Sequence, residues 1–252
     1  MVKIKRPKAI ILDIEGTTTS AKFVAEKLFP YIRSHLKQYL RSAWHTEELA
    51  VTITRLREQQ QRDTAAGFRP PEILESGSAE QMIQSVVNNV LWQMDNKKKN
   101  TALKQVQILV WVYGYEQEHL KGHVFEDVPH ALYRWKNEFD IKLYIYSTGM
   151  VVAQQLLFSC STHGNLLPLF DNYFDATIGA KTDPESFRTI ISKLNLYGYQ
   201  ILFITDTYAE ARAAVQAGCR ALLIIRPGNK PLSEDEKLEF AVIHSFDEID
   251  FV

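Results

Sequence analysis

Ala9-Ile10-Ile11-Leu12-Asp13-Ile14-Glu15-Gly16-Thr17-Thr18 carries the strongest fold signal in the chain. Four apolar residues, two of them β-branched, are too few for a helix and have no polar alternation, so they read as a strand buried on both faces. Parallel sheets covered by helices on either side supply such a strand with its surroundings. In open α/β sheets ligands bind beyond the carboxyl ends of the strands. Asp13 and Glu15 stand at such an end, on a turn that Gly16 and two threonines continue.

Further short apolar runs occur at Lys142–Tyr146, 201–204 and 221–225, each followed by turn or small polar residues. Helical segments alternate with them, for example Pro184–Leu194 opened by Asp183, and 209–217 stopped by Gly218. This βαβ alternation predicts a parallel sheet with helices on both faces. Between Phe23 and Leu120 the pattern changes to four stretches with apolar spacing near 3.6 residues, at 23–40, 46–60, 79–94 and about 101–119. Phe68-Arg69-Pro70-Pro71, Ser76-Gly77-Ser78 and Asp95-Asn96 separate them. An all-helical insertion after the first strand is expected over the strand ends, where it can act as a lid that excludes water. Residues 1–20 and 125–252 are therefore expected to form the α/β core, and 21–124 the inserted cap. Lys97-Lys98-Lys99 reads as a solvated helix start.

Composition narrows the partners. The 252 residues carry 29 basic and 30 acidic side chains, a balance that gives no general attraction to nucleic acid or membrane. No apolar run approaches the roughly 20 residues of a membrane span, and the start Met1-Val2-Lys3-Ile4-Lys5-Arg6-Pro7 lacks a secretory apolar stretch. Cys160 and Cys219 have no metal or disulfide spacing and read as small structural residues. A cytoplasmic protein acting on a small molecule is expected, with a nuclear pool possible in a eukaryote. The even charge balance and the lack of an evident apolar stripe lean towards a monomer.

Several side chains can carry chemistry. Asp13 is a candidate nucleophile that takes a phosphoryl group and passes it to water. Mg2+ would relieve the charge, with Asp13, a main-chain carbonyl near Glu15, and Asp206 as oxygen ligands. Glu15 is placed to protonate a leaving oxygen and then to activate water. Ser147, Thr148 and Gly149 end the second strand before a helix at Val151, and form either an anion cradle or a plain helix cap. Lys181, before the helix at Pro184, is either a point charge for nucleophile and phosphate or a solvated lysine. Glu210 is ambiguous, because the helix dipole favours an acid in a first turn regardless of function. His119 and His123 receive no role, and Arg226, in Arg226-Pro227-Gly228-Asn229, is expected to be an ion-pair or surface group.

Together Asp13, Ser147, Lys181 and Asp206 resemble the motif set of the haloacid dehalogenase superfamily, and Asp13-Ile14-Glu15-Gly16-Thr17-Thr18, with Glu as its second acid, resembles the enolase-phosphatase E1 family of methionine salvage. Leu28-Phe29-Pro30-Tyr31, Leu120-Lys121-Gly122-His123-Val124, Gln154-Gln155-Leu156-Leu157-Phe158, Leu166-Leu167-Pro168-Leu169-Phe170 and Arg226-Pro227-Gly228-Asn229 agree with it. The resemblance implies a Rossmann-like core with a helical cap and one Mg2+ per subunit. The implied substrate is 2,3-diketo-5-methylthiopentyl-1-phosphate, which is enolised and then hydrolysed to 1,2-dihydroxy-3-keto-5-methylthiopentene, an acireductone. It further implies Asp13 as nucleophile and metal ligand, Glu15 as a metal-associated acid-base group, Asp206 as metal ligand, Ser147, Thr148 and Gly149 at the phosphate, and Lys181 on phosphate or enolate charge. The chain departs from the family at Met150, in Ser20-Ala21-Lys22, and at Ile108 and Glu118, where the family commonly has glycine. Two rivals remain: a phosphatase for another small phosphorylated metabolite, supported by the altered cap glycines, and a signalling protein that holds phosphate on Asp13, which the helical insertion disfavours.

Overall fold

The computed structural model describes residues 1–252, which divide into two compact units, residues 1–24 with 121–252 and residues 25–120. The chain starts with strand β1 (Val2–Ile4) and strand β2 (Ala9–Leu12), whose four residues are all fully buried.

The unit 25–120 is helical. A π-helical turn at Val24–Leu28 leads into α1 (Phe29–Ala43), where Pro30 in the first turn costs no hydrogen bond. The single helix expected over 23–40 is thus two segments. Next come α2 (Glu47–Ala65), capped by the Thr46 hydroxyl, and α3 (Ala79–Asp95), opened by a reciprocal cap between Ser78 and Gln81. α2 outruns the expected 46–60 because Gln and Arg sustain a helix without apolar spacing. Helix α4 (Thr101–Glu116) is capped by Asn100 and stops short of 119, with Glu118 in the left-handed region at φ 57°. Ile32, Leu36 and Leu40 of α1, Leu49 and Leu56 of α2, Val86 and Val90 of α3, and Val106 and Val110 of α4 are fully buried.

On its return the chain alternates helices and strands. These are α5 (Asp127–Asn137), β3 (Lys142–Tyr146), α6 (Val151–Ser159), β4 (Asn172–Phe174), α7 (Pro184–Leu194), β5 (Ile201–Thr205), α8 (Tyr208–Gln216), β6 (Arg220–Ile224), α9 (Glu234–Glu239), β7 (Val242–Ile243) and β8 (Ile249–Phe251). The main sheet is parallel throughout, in the order β4-β3-β2-β5-β6-β7, while β1 and β8 form a separate parallel pair. The order runs one way from β2 to β3 and the other way to β5, so β2 lies at the switch point where a crevice opens. On one face Ile11, Tyr146 and Phe203 pack with Phe187 and Ile190 of α7 and Ala213 and Ala214 of α8. Phe187 stands edge-on to Tyr146 and Phe203, with ring centroids 5.6 and 5.0 Å apart.

Sequence and structure differ most at the small strands. β4, β7, β1 and β8 have two or three residues each, too few to show a period. Gly122 is required by close approach: a Cβ there would lie 2.0 Å from the Leu157 carbonyl oxygen. No helix is long and apolar enough to cross a membrane.

Candidate active site

Register puts the site at one level of the sheet. Leu12 pairs with Ile145 of β3 and with Ile204 of β5, so Asp13, Ser147 and Asp206 all follow strand ends beside the switch point. The Asp13 N–H donates to the Ile204 carbonyl at 3.1 Å, continuing the ladder one residue beyond β2.

The loop after Asp13 closes on itself. The N–H groups of Thr17, Thr18 and Thr19 all donate to the Ile14 carbonyl at 3.2, 3.0 and 3.0 Å, and Gly16 N–H donates to Thr19 O at 2.8 Å. Gly16 has φ +80°, and a Cβ on it would lie 2.4 Å from Asp206 Oδ2. Glycine is therefore needed twice, for the left-handed backbone and for the approach of Asp206. Within residues 13–19, Glu15 alone is exposed.

Lys181 is buried, and its Nζ donates to Asp13 Oδ1 at 2.5 Å and pairs with Glu210 Oε2 at 3.0 Å. The Thr205 hydroxyl donates to the same Glu210 oxygen at 2.9 Å. Burial opposes the charge on Lys181, but the carboxylates of Asp13 and Glu210 outweigh it and hold its pKa above the ordinary value. One ammonium does not serve every acid. Burial pushes the Asp206 carboxyl up to about 6, with Asp13 adding repulsion. Glu15 is raised by loss of water and by the charge of Asp13, with Lys181 opposing. Burial and Asp13 raise Glu210 as well.

Four carboxyl groups, of which only Asp13 and Glu210 pair with the one ammonium, suit a divalent cation. No three acidic, histidine or cysteine side chains converge into a closed ligand cage. Mg2+ does not require one, since one or two carboxylates, main-chain oxygen, water and substrate phosphate suffice.

At the end of β3, Ser147 is buried, its N–H donates to Phe174 O at 3.1 Å, and Gly149 N–H donates to its Oγ at 3.4 Å. Neither Ser147 nor Thr148 caps α6. Met150 holds the capping position without a side-chain bond, so the plain helix-cap alternative falls away; the Ala153 and Gln154 N–H groups donate to the Met150 carbonyl at 2.9 and 3.2 Å, which leaves those of Val151 and Val152 for an anion. Gln154 Nε2 ties the loop down through Gly149 O at 2.7 Å and Phe174 O at 3.0 Å. Thr148 and Gly149 are exposed.

Around the loop after Asp13, Arg226 was read in part, as an ion-pair group, while Asn229 and His123 escaped sequence reasoning. Arg226, expected as an ion-pair or surface group, is a buried ion pair with Asp127. Asn229 Nδ2 donates to Gly16 O at 2.9 Å. His123 Nδ1 accepts the Ser20 N–H at 3.2 Å and lies 2.9 Å from the Thr19 hydroxyl, and burial with nearby His163 lowers its pKa. The Arg226-Pro227-Gly228-Asn229 turn was the available signal for the first two.

A family model described as haloacid dehalogenase-like hydrolase matches residues 7–218. Enolase-phosphatase E1 of Anopheles gambiae is 43% identical over 244 residues, covering 97% of this chain and 82% of that one. That of Dictyostelium discoideum is 44% identical over 253 residues, covering 95% and 94%. The chain belongs to the enolase-phosphatase E1 family of haloacid dehalogenase-like hydrolases. Among solved structures, this enolase-phosphatase E1 chain is similar to the Unknown transcript 4 protein of Saccharomyces cerevisiae, with TM-score 0.75 and 26% identity, covering 96% of this chain and all of that one.

Proposed function

We propose that the chain is the enolase-phosphatase of methionine salvage. It enolises 2,3-diketo-5-methylthiopentyl-1-phosphate and then hydrolyses the phosphate ester, giving 1,2-dihydroxy-3-keto-5-methylthiopentene and inorganic phosphate. The observation that carries the site assignment is the buried Lys181 ammonium shared by Asp13 and Glu210, at 2.5 and 3.0 Å, beside an exposed Glu15.

Enolisation is a net shift of a proton from the carbon beside a carbonyl to the carbonyl oxygen, which gathers negative charge on the way, and Lys181 stabilises that oxygen electrostatically. In hydrolysis an Asp13 carboxylate oxygen attacks phosphorus, the ester P–O bond breaks, and Glu15 in its acid form gives a proton to the departing oxygen. Glu15, now a carboxylate, then takes a proton from water, which attacks the phosphoryl group on Asp13 and releases phosphate with the aspartate restored. Ser147, Thr148 and the N–H groups at the start of α6 hold the phosphate meanwhile. Asp13, Asp206 and the main-chain carbonyl of Glu15 would hold Mg2+, which would supply neutralising charge for the phosphoryl group.

The test compares Mg2+-dependent phosphate release from the phosphorylated diketone with that from p-nitrophenyl phosphate, while ultraviolet absorbance follows the enol. Much faster cleavage of the diketone with an enol signal supports the proposal. Equal cleavage of both esters with no enol signal assigns the chain to another small phosphorylated metabolite.

A further inference from the structure

The loop that carries Glu15 is tied down from outside by three consecutive carbonyls. Gly16 O accepts from Asn229 Nδ2 at 2.9 Å, Thr17 O from Arg226 Nε at 3.0 Å, and Thr18 O from the Phe125 N–H at 3.0 Å. Arg226 and Asn229 belong to one turn, closed by the Asn229 N–H on the Arg226 carbonyl at 3.1 Å.

Arg226 is itself fixed on every side. Its Nη1 and Nη2 each meet one oxygen of Asp127 at 2.9 Å, Nη1 also donates to His244 O at 3.1 Å, and the guanidinium carbon lies 4.4 Å from the Phe125 ring centroid and 5.1 Å from that of Phe246. Asp127 in turn accepts the Phe246 N–H at 2.6 Å and the Ser245 hydroxyl at 3.1 Å. A planar fork held at both ends by a carboxylate, with its third edge on a main-chain oxygen, has little freedom to move. Burying that much polar surface on a loop carbonyl is more than a connection between β6 and α9 requires.

We propose that Arg226 and Asn229 are positioning residues that set the main chain of residues 15–18, and through it the Glu15 carboxyl and the approach of Gly16 to Asp206. Asp13 does not depend on them, since β2, the Ile204 carbonyl and Lys181 hold it. The catalytic consequence rests on the acid-base role proposed above for Glu15. The structural consequence stands without it.

Two variants test this. Arg226→Lys keeps the charge and loses the fork, while Asn229→Ala removes the Gly16 bond at a half-buried turn and leaves the Arg226 pair intact. Hydrogen exchange followed by mass spectrometry reads the peptide spanning residues 14–19, with melting temperature as control. Turnover of p-nitrophenyl phosphate with Mg2+ gives kcat and KM, and Glu15→Gln is measured alongside. Exchange in that peptide is expected to rise in both variants while peptides from β3 and β5 stay protected. kcat should fall about 10- to 100-fold with KM within about twofold, the scale of a misplaced catalytic group. Unchanged exchange overturns the clamp. Faster exchange with unchanged kcat overturns the positioning role, provided Glu15→Gln is slow. If Glu15→Gln keeps full turnover, the acid-base assignment has failed, and exchange alone then decides the clamp. Should Arg226→Lys fail to fold, Asn229→Ala separates the same outcomes by itself.

Discussion

Glu210 Oε2 stands 3.0 Å from Lys181 Nζ, and the same ammonium donates to Asp13 at 2.5 Å. Glu210 thus shares the charge of Lys181 with Asp13 and, with the Thr205 hydroxyl on the same oxygen, fixes where that ammonium sits. Glu210→Ala should lower kcat about tenfold or more by loosening Lys181. It should cost at most roughly 3 kcal/mol in stability, the low end for breaking a buried pair, because Asp13 remains as a partner. Steady-state kinetics and urea unfolding check the two parts.

Gly16→Ala would place a methyl group on Asp206 in a left-handed backbone. The conformational strain costs about 1–2 kcal/mol. Displacement of Asp206 should matter more, weakening Mg2+ binding about tenfold or more by loss of a carboxylate ligand. Titration calorimetry with Mg2+ reads the affinity, and an unchanged far-ultraviolet circular dichroism spectrum reports the fold.

Asp127 predicts an acid response. Burial alone would raise its carboxyl, but Arg226, the Phe246 N–H and the Ser245 hydroxyl outweigh it and hold the pKa below the usual carboxylate range. A depressed folded-state pKa gives stability that is fully present above the unfolded value of about 3.9 and is lost as pH falls through the folded value. The stability gap between the native chain and Asp127→Asn should therefore be constant near neutrality and shrink below about pH 4, as denaturant unfolding across pH would show.

The two thiols should separate. Cys219 is buried, and burial pushes its pKa up to about 12, whereas Cys160 is half-buried at the end of α6. Because the thiolate is the reactive form, a disulfide reagent should modify Cys160 in the folded protein and reach Cys219 only on the timescale of unfolding. Peptide mapping after timed labelling distinguishes them.

What the sequence disclosed follows from where each signal is local. β2 was legible because four consecutive residues face covering layers on both sides, and α7 because Asp183 and Pro184 announce its start. Asp13, Lys181 and Asp206 were legible as groups following strands or preceding a helix, and the structure brings Lys181 onto Asp13. Glu210 could not be resolved in advance, since a first-turn acid is favoured by the helix dipole whatever else it does. Arg226 was harder still: its partner Thr17 lies 209 positions away, and nothing in Arg-Pro-Gly-Asn tells a buried fork from an exposed turn. The strands of two or three residues are formed by tertiary pairing, which leaves no period to read.

The hydrolysis proposed here depends on Asp13 carrying the phosphoryl group during turnover of the phosphorylated diketone. Acid quenching during steady-state turnover with Mg2+, followed by peptide mass spectrometry, would detect that group. Phosphate is expected on the peptide containing Asp13, and none when Asp13→Asn is treated in the same way. Rapid phosphate release with Asp13 unmodified at every quench time, or full turnover by Asp13→Asn, would rule out the covalent route.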